Sequence, residues 1–561
     1  MENALIYIFI IFFIPFISSL LNALFFNSLK NIIGNISILM LLISLIISII
    51  NFYIFYNDAN WSFLDWNIYN GLRLIEFPLI LISNFDFGFS LNFDKLTVFM
   101  LLIINLISFL FHLQLFESIG DKSRLSIYFF YLGLFVFSIN GIIISNNLLF
   151  TFIFWKVASF SSLSLIHFSN DKSLIVNSIR KVFLNNKVSD LTIFFGIMIL
   201  YSSSGTLSFN SLQFSSINST LMTISVLLIV FGFMYRTIKL IIYYFIPNKM
   251  KTPVSISELI YSITMLVPIA YLLIRFFPFL TEQVLHVLAL TGALIALFGS
   301  FIALTQYHLL KILAYCSISH FGYILCAIGV GSFFAGFLHL LTYVIFISCL
   351  FISFSPIIER IPKNQNMISM QVQKIKSPVS LAIILVSAMS ICGFPLFLGF
   401  LSQKSIFAGT ISYYQNFGEL TFIIPLFIFI SISITSFYMI RLILTLFYSN
   451  KKPIHTFISS SKNSYHFAVL IILFSISNFA SIFVFPNINP LYYYGWFYSM
   501  MSKIVPYETL GYDMQSVDVL ITSNMNEGSL YLLVATFFGA SFAIIKHLLD
   551  RNFFDLTKKK I

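Results

Sequence analysis

Ionisable side chains inside long apolar runs are the residues of this sequence that could do chemistry. Arg236 and Lys239 lie in the middle of an apolar stretch, and Glu258 follows after Pro247 and Pro253 interrupt it. A lone charge at the centre of a bilayer costs roughly 2.5–3.5 kcal/mol or more, so such residues normally face a partner or a water-filled path. These positions predict a membrane protein that handles ions or protons.

The composition places this chain in a membrane. Of its 561 residues, 59% are hydrophobic and 9% are charged, against about 25% charged residues in a typical soluble domain. Apolar runs of about 20 residues, the length that crosses a bilayer, recur along the whole sequence. We predict an all-α fold, a polytopic bundle of about 15 transmembrane helices, with no room for a separate soluble domain.

The net charge of +11 does not indicate nucleic acid, because the basic residues occupy short loops rather than one face or arm. Lipids are the expected surroundings. If the spans alternate, the basic loops 171–181, 248–251, 359–376 and 450–452 lie on one side. The positive-inside rule assigns that side to the compartment of synthesis and the N-terminus to the opposite side.

Cofactor motifs are missing from the sequence. The four cysteines, Cys316, Cys326, Cys349 and Cys392, form no CxxC pair or Cys/His cluster, and no glycine-rich nucleotide loop follows a strand pattern. We therefore expect no metal, iron–sulfur cluster or nucleotide in this chain. The abundance of Phe, Ile, Asn, Tyr and Lys is typical of AT-rich coding DNA and favours an organelle genome.

Two apolar helices carry residues that interrupt a helix. Pro247 and Pro253 mark the first, and Gly393 and Pro395 mark the second. Proline lacks the N–H that continues a helix, and glycine lowers helix propensity. Free backbone groups at membrane depth are tolerated only inside protein or beside a wet cavity. Two such helices, about five spans apart, indicate the repeated halves of a transporter, although a proline kink alone is often only packing.

A family resemblance rests on an ordered set of short segments. They are Asn-Phe-Asp-Lys-Leu-Thr (92–97), Phe-Trp-Lys (154–156), Asn-Lys-Val-Ser-Asp (186–190), Lys-Thr-Pro-Val-Ser-Ile-Ser-Glu-Leu-Ile-Tyr (251–261), Ala-Leu-Thr-Gln (303–306), Lys-Ile-Leu-Ala-Tyr (311–315), Phe-Leu-His-Leu-Leu-Thr-Tyr (337–343), Gly-Phe-Pro-Leu-Phe-Leu-Gly-Phe-Leu-Ser (393–402) and Thr-Ser-Phe-Tyr-Met-Ile-Arg (435–441). The set resembles the antiporter-like membrane subunits of respiratory complex I, and within them the subunit 5 branch.

The resemblance implies two inverted five-helix repeats, with one broken helix each, and a proton path along the middle of the membrane. It divides the chain into an N-terminal segment 1–91, a first antiporter-like half 92–278, a second half 279–452 and C-terminal helices 453–561. The N-terminal segment consists of two helices followed by an acidic and aromatic intermembrane loop that begins at residue 57. It implies membership of NADH:ubiquinone oxidoreductase in the mitochondrial inner membrane, beside a subunit 4-like neighbour and other membrane-arm subunits. NADH, FMN, iron–sulfur clusters and ubiquinone would bind elsewhere in the complex.

The sequence departs from the family at the proton path. The family has Trp-Glu where this chain has Trp155-Lys156, and its broken-helix lysine falls on Arg236, which effectively cannot deprotonate. A family histidine falls on Tyr261, and a second lysine falls on Gln403. Groups that could still form a path are Lys156, Lys187, Asp190, Arg236, Lys239, Glu258, Lys311, His320, His339 and Lys404.

Three interpretations stay open on the sequence. The chain either pumps protons through these shifted groups, or completes the membrane arm as a scaffold, or works as an independent cation/proton antiporter. Simpler roles also fit single residues: Lys156 could pair with Asp190, His339 could be a hydrogen-bonded core residue, and Glu258 could stabilise a helix N-terminus. Family members carry a long amphipathic helix that lies along the membrane arm between their last two spans. Here we predict the last span at 530–548 and a shortened form of this lateral segment before it.

Overall fold

The structure is a computed structural model, and it describes most of the apolar segments. The described residues are 2–24, 33–57, 76–82, 85–91, 94–118, 122–168, 175–209, 219–245, 266–277, 280–359, 378–447 and 514–558. Pro247, Pro253 and Glu258, together with the predicted lateral segment before residue 514, lie outside these ranges.

The first compact unit comprises residues 1–240, 250–284 and 496–512. Its helices are α1 (Glu2–Leu24), α2 (Ile33–Asn57), α3 (Lys95–Ser118), α4 (Lys122–Ile144), α5 (Leu148–Phe168), α6 (Ile175–Ser204), most of α7 (Ser219–Phe245) and the short α8 (Leu266–Arg275). Helix α4 packs against α1, α3 and α5. Helices suit this composition because every backbone polar group is then bonded within its own segment.

The second compact unit comprises residues 241–249, 285–495 and 513–561. It contains most of α9 (Glu282–Thr305), then α10 (Leu309–Gly329), α11 (Phe333–Glu359), α12 (Pro378–Cys392), α13 (Leu398–Phe417), α14 (Ile423–Phe447) and α15 (Met514–Lys558). Helix α10 is almost wholly buried, and α11 packs against α10, α12 and α13. Helix α10 therefore forms the centre of this unit, where its polar side chains are shielded from lipid.

Eleven helices in the described part are long and apolar enough to cross a membrane, and α8 and α12 are shorter apolar helices. The predicted helical membrane bundle is confirmed. Its total of about fifteen spans stays a prediction, because the described ranges omit some of the predicted spans. The fourfold division of the chain also stays a prediction.

A small antiparallel hairpin departs from the all-α prediction. Strands β1 (Glu76–Ile82) and β2 (Phe85–Ser90) pair with each other, in a segment that we expected to be an acidic and aromatic loop. In β2 the aromatic residues Phe85, Phe87 and Phe89 alternate with Asp86, Gly88 and Ser90. This period of two is typical of a strand, and the sequence reasoning missed it.

The second predicted helix interruption is present between α12 and α13. Helix α12 ends at Cys392 and α13 begins at Leu398. Gly393 has φ +79° and Leu396 has φ +77°, in the left-handed region that glycine enters freely and leucine does not. Pro395 cannot donate a helical hydrogen bond, so the chain turns here before the helix resumes.

Helix α15 is longer than predicted. It runs from Met514 to Lys558, 45 residues, while its candidate span is Asn524–Leu549, close to the expected 530–548. Asn524 holds α15 on α13, because its side-chain amide donates to Ser412 Oγ at 3.1 Å and to Gln415 Oε1 at 2.7 Å.

Candidate functional site

In the first unit, one buried carboxylate joins two cations. Asp190 on α6 accepts a hydrogen bond from Arg236 Nη1 on α7, at 3.1 Å, through Oδ1. Its other oxygen, Oδ2, forms an ion pair with Lys156 on α5. The Arg236 guanidinium also lies over the Trp155 ring, 4.7 Å from its centroid. We call Lys156, Asp190 and Arg236 the ion triad.

The ion triad forms where α6 and α7 approach closely. Ser189 donates a hydrogen bond from Oγ to the carbonyl of Gly232 at 2.7 Å. A Cβ atom at Gly232 would lie 2.6 Å from Thr192 Oγ1, so only glycine fits without displacement. Arg236 lies one helical turn after Gly232, and Asp190 directly follows Ser189. The close contact therefore brings the arginine and the carboxylate together.

The two lysines of this region differ from Arg236 in exposure. The Arg236 side chain is 0% exposed, whereas the Lys156 side chain is 45% exposed. Lys187 is also exposed, and its Nζ lies 4.8 Å from the centroid of the Phe183 ring. The structure thus brings together Lys156, Asp190 and Arg236 among the predicted path residues and leaves Lys187 at the surface.

In the second unit, two buried histidines and a serine form a continuous hydrogen-bonded chain. His320 Nδ1 on α10 lies 3.0 Å from His339 Nε2 on α11. His339 Nδ1 lies 3.0 Å from Ser402 Oγ on α13, and Thr342 Oγ1 lies 3.1 Å from the same Ser402 oxygen. We call His320, His339 and Ser402 the histidine chain.

The surroundings of the histidine chain are aromatic and neutral. The rings of His320 and Tyr343 are stacked, with centroids 4.6 Å apart, and Tyr343 donates from its hydroxyl to Ser317 Oγ at 2.6 Å. His320 Nε2 is buried and has no hydrogen-bond partner among the described residues. One end of the chain is therefore a ring nitrogen with no partner in the described part of the protein, and the other lies near the start of α13, after the helix break.

The neighbouring predicted residues divide between the core and the edge. Gln403, which stands where the family has a lysine, is buried and donates from Nε2 to the carbonyl of Ile391 at 2.8 Å, so it binds the free end of α12. Lys404 and Lys311 are half-buried. Lys239 lies on α7. A proton path through all of these groups stays a prediction.

A third buried cluster was missed by sequence reasoning. In the first unit, Arg275 at the end of α8 forms a salt bridge with Asp94, with Nη1 2.5 Å from Oδ2. Arg275 Nε donates to Tyr271 Oη at 2.9 Å, and Tyr271 donates to the carbonyl of Ile143 at 2.7 Å. The cluster ties α8 to the start of α3 and the end of α4. The sequence did contain a signal for this cluster, because Arg275 is a charged residue within an apolar run, as Arg236 is.

Comparison with known proteins gives a consistent result. Residues 145–429, just over half of the chain, match the family described as NADH:quinone oxidoreductase/Mrp antiporter, TM. A chloroplastic NAD(P)H-quinone oxidoreductase subunit 5 of Marchantia polymorpha is 28% identical over 450 residues, covering 76% of this chain and 63% of that protein. The NADH-quinone oxidoreductase subunit L of Buchnera aphidicola subsp. Schizaphis graminum (strain Sg) is 28% identical over 449 residues, covering 77% and 71%.

A solved structure shares the fold. It is a chain of the membrane-bound sulfane sulfur reductase, an archaeal respiratory membrane complex, with a TM-score of 0.70 and 17% identity, covering 94% of this chain and 100% of that one. The present chain spans less than two thirds of the length of the first chloroplastic relatives that it matches. The fold and the sequence matches together describe a multi-pass antiporter-like membrane subunit.

Proposed function

This chain belongs to the family of NADH:quinone oxidoreductase and Mrp antiporter membrane subunits, and from that premise we propose that it is a core membrane-arm subunit of complex I. In this role it couples electron transfer between NADH and ubiquinone to proton translocation across the mitochondrial inner membrane. Relatives named as subunits of NAD(P)H- or NADH-quinone oxidoreductases support the complex. The AT-rich composition supports an organelle genome.

The redox chemistry of this complex belongs to other subunits under the proposal. The sequence supplies no motif for NADH, FMN or an iron–sulfur cluster, so these groups and ubiquinone bind elsewhere. The expected partners are other membrane-arm subunits, especially a subunit 4-like antiporter neighbour, together with membrane lipids. The contribution of this chain to the enzyme is then the transfer of protons and not of electrons.

The histidine chain is the observation that supports proton transfer. A neutral imidazole has one N–H donor and one acceptor nitrogen, so His320 and His339 can each receive a proton on one nitrogen and release one from the other. The distances of 3.0 Å between His320 and His339, and between His339 and Ser402, lie within hydrogen-bond range. A proton that enters at His320 Nε2 can therefore leave at Ser402 without moving any backbone atom.

The ion triad favours a second candidate function, a scaffold that passes few or no protons. Arg236 is always charged, and both oxygens of Asp190 are engaged by the two cations. Under the scaffold alternative the triad is a fixed structural contact, and the histidine chain is a hydrogen-bonded polar core.

Substitution of His339 separates the two functions. In membranes that contain the assembled complex, His339→Phe would interrupt the histidine chain. Electron transfer should continue, because it takes place in other subunits. We expect fewer protons translocated per NADH oxidised, measured as the initial rate of vesicle acidification divided by the rate of NADH consumption in the same coupled vesicles. An uncoupler added afterwards should abolish the acidification. A matched control is His286→Phe, because His286 is a half-buried histidine of the same unit that contacts Tyr413 instead.

The same preparation distinguishes the remaining outcomes. An unchanged ratio of protons to NADH in His339→Phe would support the scaffold and contradict proton transfer through this chain. If the chain purifies without flavin and without NADH oxidation, complex I membership is wrong and an independent antiporter is favoured.

A further inference from the structure

Polar side chains line the inner face of α2 in the first unit. They are Ser37, Ser44, Ser48 and Asn51, each at most 1% exposed, whereas the exposed large residues of this helix are Leu, Ile and Tyr. Steps of three, four or seven residues keep these positions on one face of the helix. The inner face of α2 is therefore polar and its lipid side is apolar, so its polar groups need hydrogen-bond partners inside the bundle.

Contacts between α2 and α3 set the register of these two helices. Ser44 Oγ donates a hydrogen bond to Asn105 Oδ1 at 2.6 Å, and the ring centroids of Phe52 and Phe99 lie 5.6 Å apart. Phe52 follows Ser44 in the sequence. Phe99 precedes Asn105, so the two helices are antiparallel. Residues that lie equally far from the Ser44–Asn105 bond, in opposite sequence directions, therefore share a depth in the membrane.

Helix α3 adds polar side chains on the face that meets α2. Ser108 and His112 follow Asn105 at helical spacing, and both are buried. His112 lies two turns from Asn105 and shares the depth of Ser37, which accepts a hydrogen bond from Asn22 Nδ2 at 2.7 Å. Successive polar side chains at this interface are thus roughly one turn apart, about 5.4 Å. One water molecule that makes two hydrogen bonds of about 2.8 Å spans that distance.

Two asparagines of the same helix bundle have no hydrogen-bond partner among the described residues. Asn51 on α2 and Asn140 on α4 are each 0% exposed, and neither the oxygen nor the nitrogen of either amide is bonded. A buried amide without a partner is costly, and ordered water is the usual partner of such a group. These two side chains therefore indicate bound water inside the first unit.

The stacking of His112 on Phe129 gives the depth of Asn140. The two ring centroids lie 5.1 Å apart, and the connection between α3 and α4 is short, so these helices are antiparallel. Asn140 lies three turns after Phe129, and Ser48 lies three turns after Ser37. Since Ser37 and His112 share a depth, Asn140 lies at the depth of Ser48.

The polar row reaches the buried ion pair of Asp94 and Arg275 at one end. Asn51 shares the depth of Val98 in the register of α2 and α3, and Thr97 is the neighbour of Val98. Thr97 Oγ1 accepts a hydrogen bond from Arg275 Nη2 at 2.7 Å, and Asp94 Oδ1 accepts one from the Thr97 backbone N–H at 2.8 Å. An acidic side chain therefore lies at this end of the row, and a histidine lies at the other.

We call this row the α2–α3 seam, and its members are His112, Ser37, Ser108, Asn105, Ser44, Ser48, Asn51 and Asp94. We propose that ordered water molecules join these members and that the seam conducts protons between His112 and Asp94, as a path additional to the histidine chain. The inference rests on the proposed function, because it needs a chain that translocates protons.

Proton transfer along the seam needs groups that both accept and donate. A water molecule or a serine hydroxyl takes a proton on its oxygen and releases another to the next member, so one O–H bond forms as one breaks. His112 Nδ1 lies 2.7 Å from the carbonyl of Ser108, which can only accept, so Nδ1 carries a hydrogen. His112 Nε2 is then the nitrogen that takes up a proton and returns it to water. At the other end the acceptor is the Asp94 carboxylate.

A dry seam or a bound metal cation fits these residues less well. Ser48 donates to the carbonyl of Leu45 at 2.7 Å and is satisfied within its own helix, but the amides of Asn51 and Asn140 are not. A cation would face amide N–H groups as well as oxygens, and the middle of the seam has no carboxylate to balance its charge. Water both donates and accepts, as an amide does.

Radiolytic footprinting of the assembled complex tests for the water. A short X-ray pulse makes hydroxyl radicals from water, and mass spectrometry then locates the oxidised side chains. Leu101 lies on the seam face of α3 and Leu110 on the opposite face, and both are buried. We expect oxidation of Leu101 but not of Leu110 in the native chain, and loss of the Leu101 signal in Asn51→Leu.

The proton path is tested by the number of protons translocated per NADH oxidised. We expect a lower ratio in Asn51→Leu and also in Asn140→Leu, which changes a different helix. Both variants remove groups without described partners, so the chain should accumulate at its usual amount. Asn524→Leu is the matched control, because Asn524 is a buried asparagine of the second unit with partners of its own. It should change neither Leu101 oxidation nor the ratio.

Two results would overturn the inference. One is an unoxidised Leu101 in the native chain, a measurement that needs no variant. The other is an unchanged proton ratio in Asn51→Leu, and a lower ratio in His339→Phe would then leave the proposed function in place. Failure of the proposed function looks different: an oxidised Leu101 in a particle without NADH oxidation would keep the water in the seam and contradict complex I membership.

Discussion

The two units of this protein bury polar groups within the membrane in different ways. The first unit binds full charges to one another, with Asp190 between Lys156 and Arg236. The second unit buries neutral groups, His320, His339 and Ser402, that share hydrogen bonds. A charge at membrane depth is costly to separate from its partner, whereas a neutral hydrogen bond between helices contributes little, about 0.6 kcal/mol on average.

This difference indicates which cluster is held in one arrangement and which can rearrange its hydrogen bonds. Removal of the Asp190 carboxylate leaves the buried Arg236 guanidinium without this counter-charge, so the triad is held in one arrangement. The histidine chain can exchange its donors and acceptors without creating a net charge at rest. Neutral interhelical hydrogen bonds stabilise a membrane protein little on average, which favours a role for the buried histidines other than holding helices together.

The largest expected effect on stability comes from Asp190. Asp190→Asn removes the carboxylate and leaves the buried Arg236 guanidinium without its counter-charge. We expect a loss of roughly 3–5 kcal/mol in the free energy of unfolding. The measurement is the thermal denaturation of the purified complex, read together with the amount of chain that accumulates in the membrane.

The double variant Asp190→Asn with Arg236→Met is the control for this prediction. Replacing both partners of a buried pair by groups of similar size is often close to neutral, so the double variant should be more stable than Asp190→Asn alone. If the single variant is as stable as the unmodified protein, the ion triad does not hold the first unit together.

A smaller effect is expected at the centre of the histidine chain. His339→Phe leaves His320 Nδ1 without its partner, while Ser402 Oγ keeps Thr342 and the carbonyl of Gly399. An unsatisfied buried polar group costs about 1–3 kcal/mol. The same denaturation experiment should therefore rank this variant above Asp190→Asn in stability. The reverse order would contradict the contrast between a charge-bound unit and a neutral one.

Loss of one neutral hydrogen bond beside the chain should cost less again. Tyr343→Phe removes the hydroxyl that donates to Ser317 and keeps the ring that stacks on His320. From the average for interhelical hydrogen bonds in membranes, we expect the free energy of unfolding to fall by about 0.6 kcal/mol. A loss as large as that of His339→Phe would mean that the tyrosine hydroxyl belongs to the histidine chain.

The smallest expected change in folding stability is at Lys156. Its side chain is 45% exposed, and ion pairs at exposed positions contribute about 0–1 kcal/mol. Lys156→Met should therefore leave the unfolding of the isolated chain in detergent almost unchanged, in contrast to Asp190→Asn. Strong destabilisation in detergent would show that the lysine supports the fold of its own unit.

Much of the fold follows from composition and from local sequence. Long Leu-, Ile- and Phe-rich runs predict membrane helices because their backbone groups must be satisfied internally. The break between α12 and α13 follows from Gly393 and Pro395, whose backbone preferences act locally. The pairing of Lys156 with Asp190, considered as one role for Lys156, is present in the structure.

The rest of the site depends on contacts between distant segments. Nothing local to Arg236 indicates that it pairs with Asp190, since the contact arises from the close approach of α6 and α7. Ser402 is one hydroxyl among many in this sequence, so no pattern distinguishes it as the partner of His339. The cluster of Asp94, Tyr271 and Arg275 was missed for the same reason, although the charge of Arg275 in an apolar run was a usable signal.

The length of α15 offers a way to determine the orientation of this protein in the membrane. At 1.5 Å per residue its 45 residues extend about 68 Å, more than twice the roughly 30 Å of a hydrocarbon core, so both ends reach water on opposite sides. The four native cysteines are buried. A single cysteine engineered near either end would thus be labelled by an impermeant thiol reagent from one side only, against a silent background.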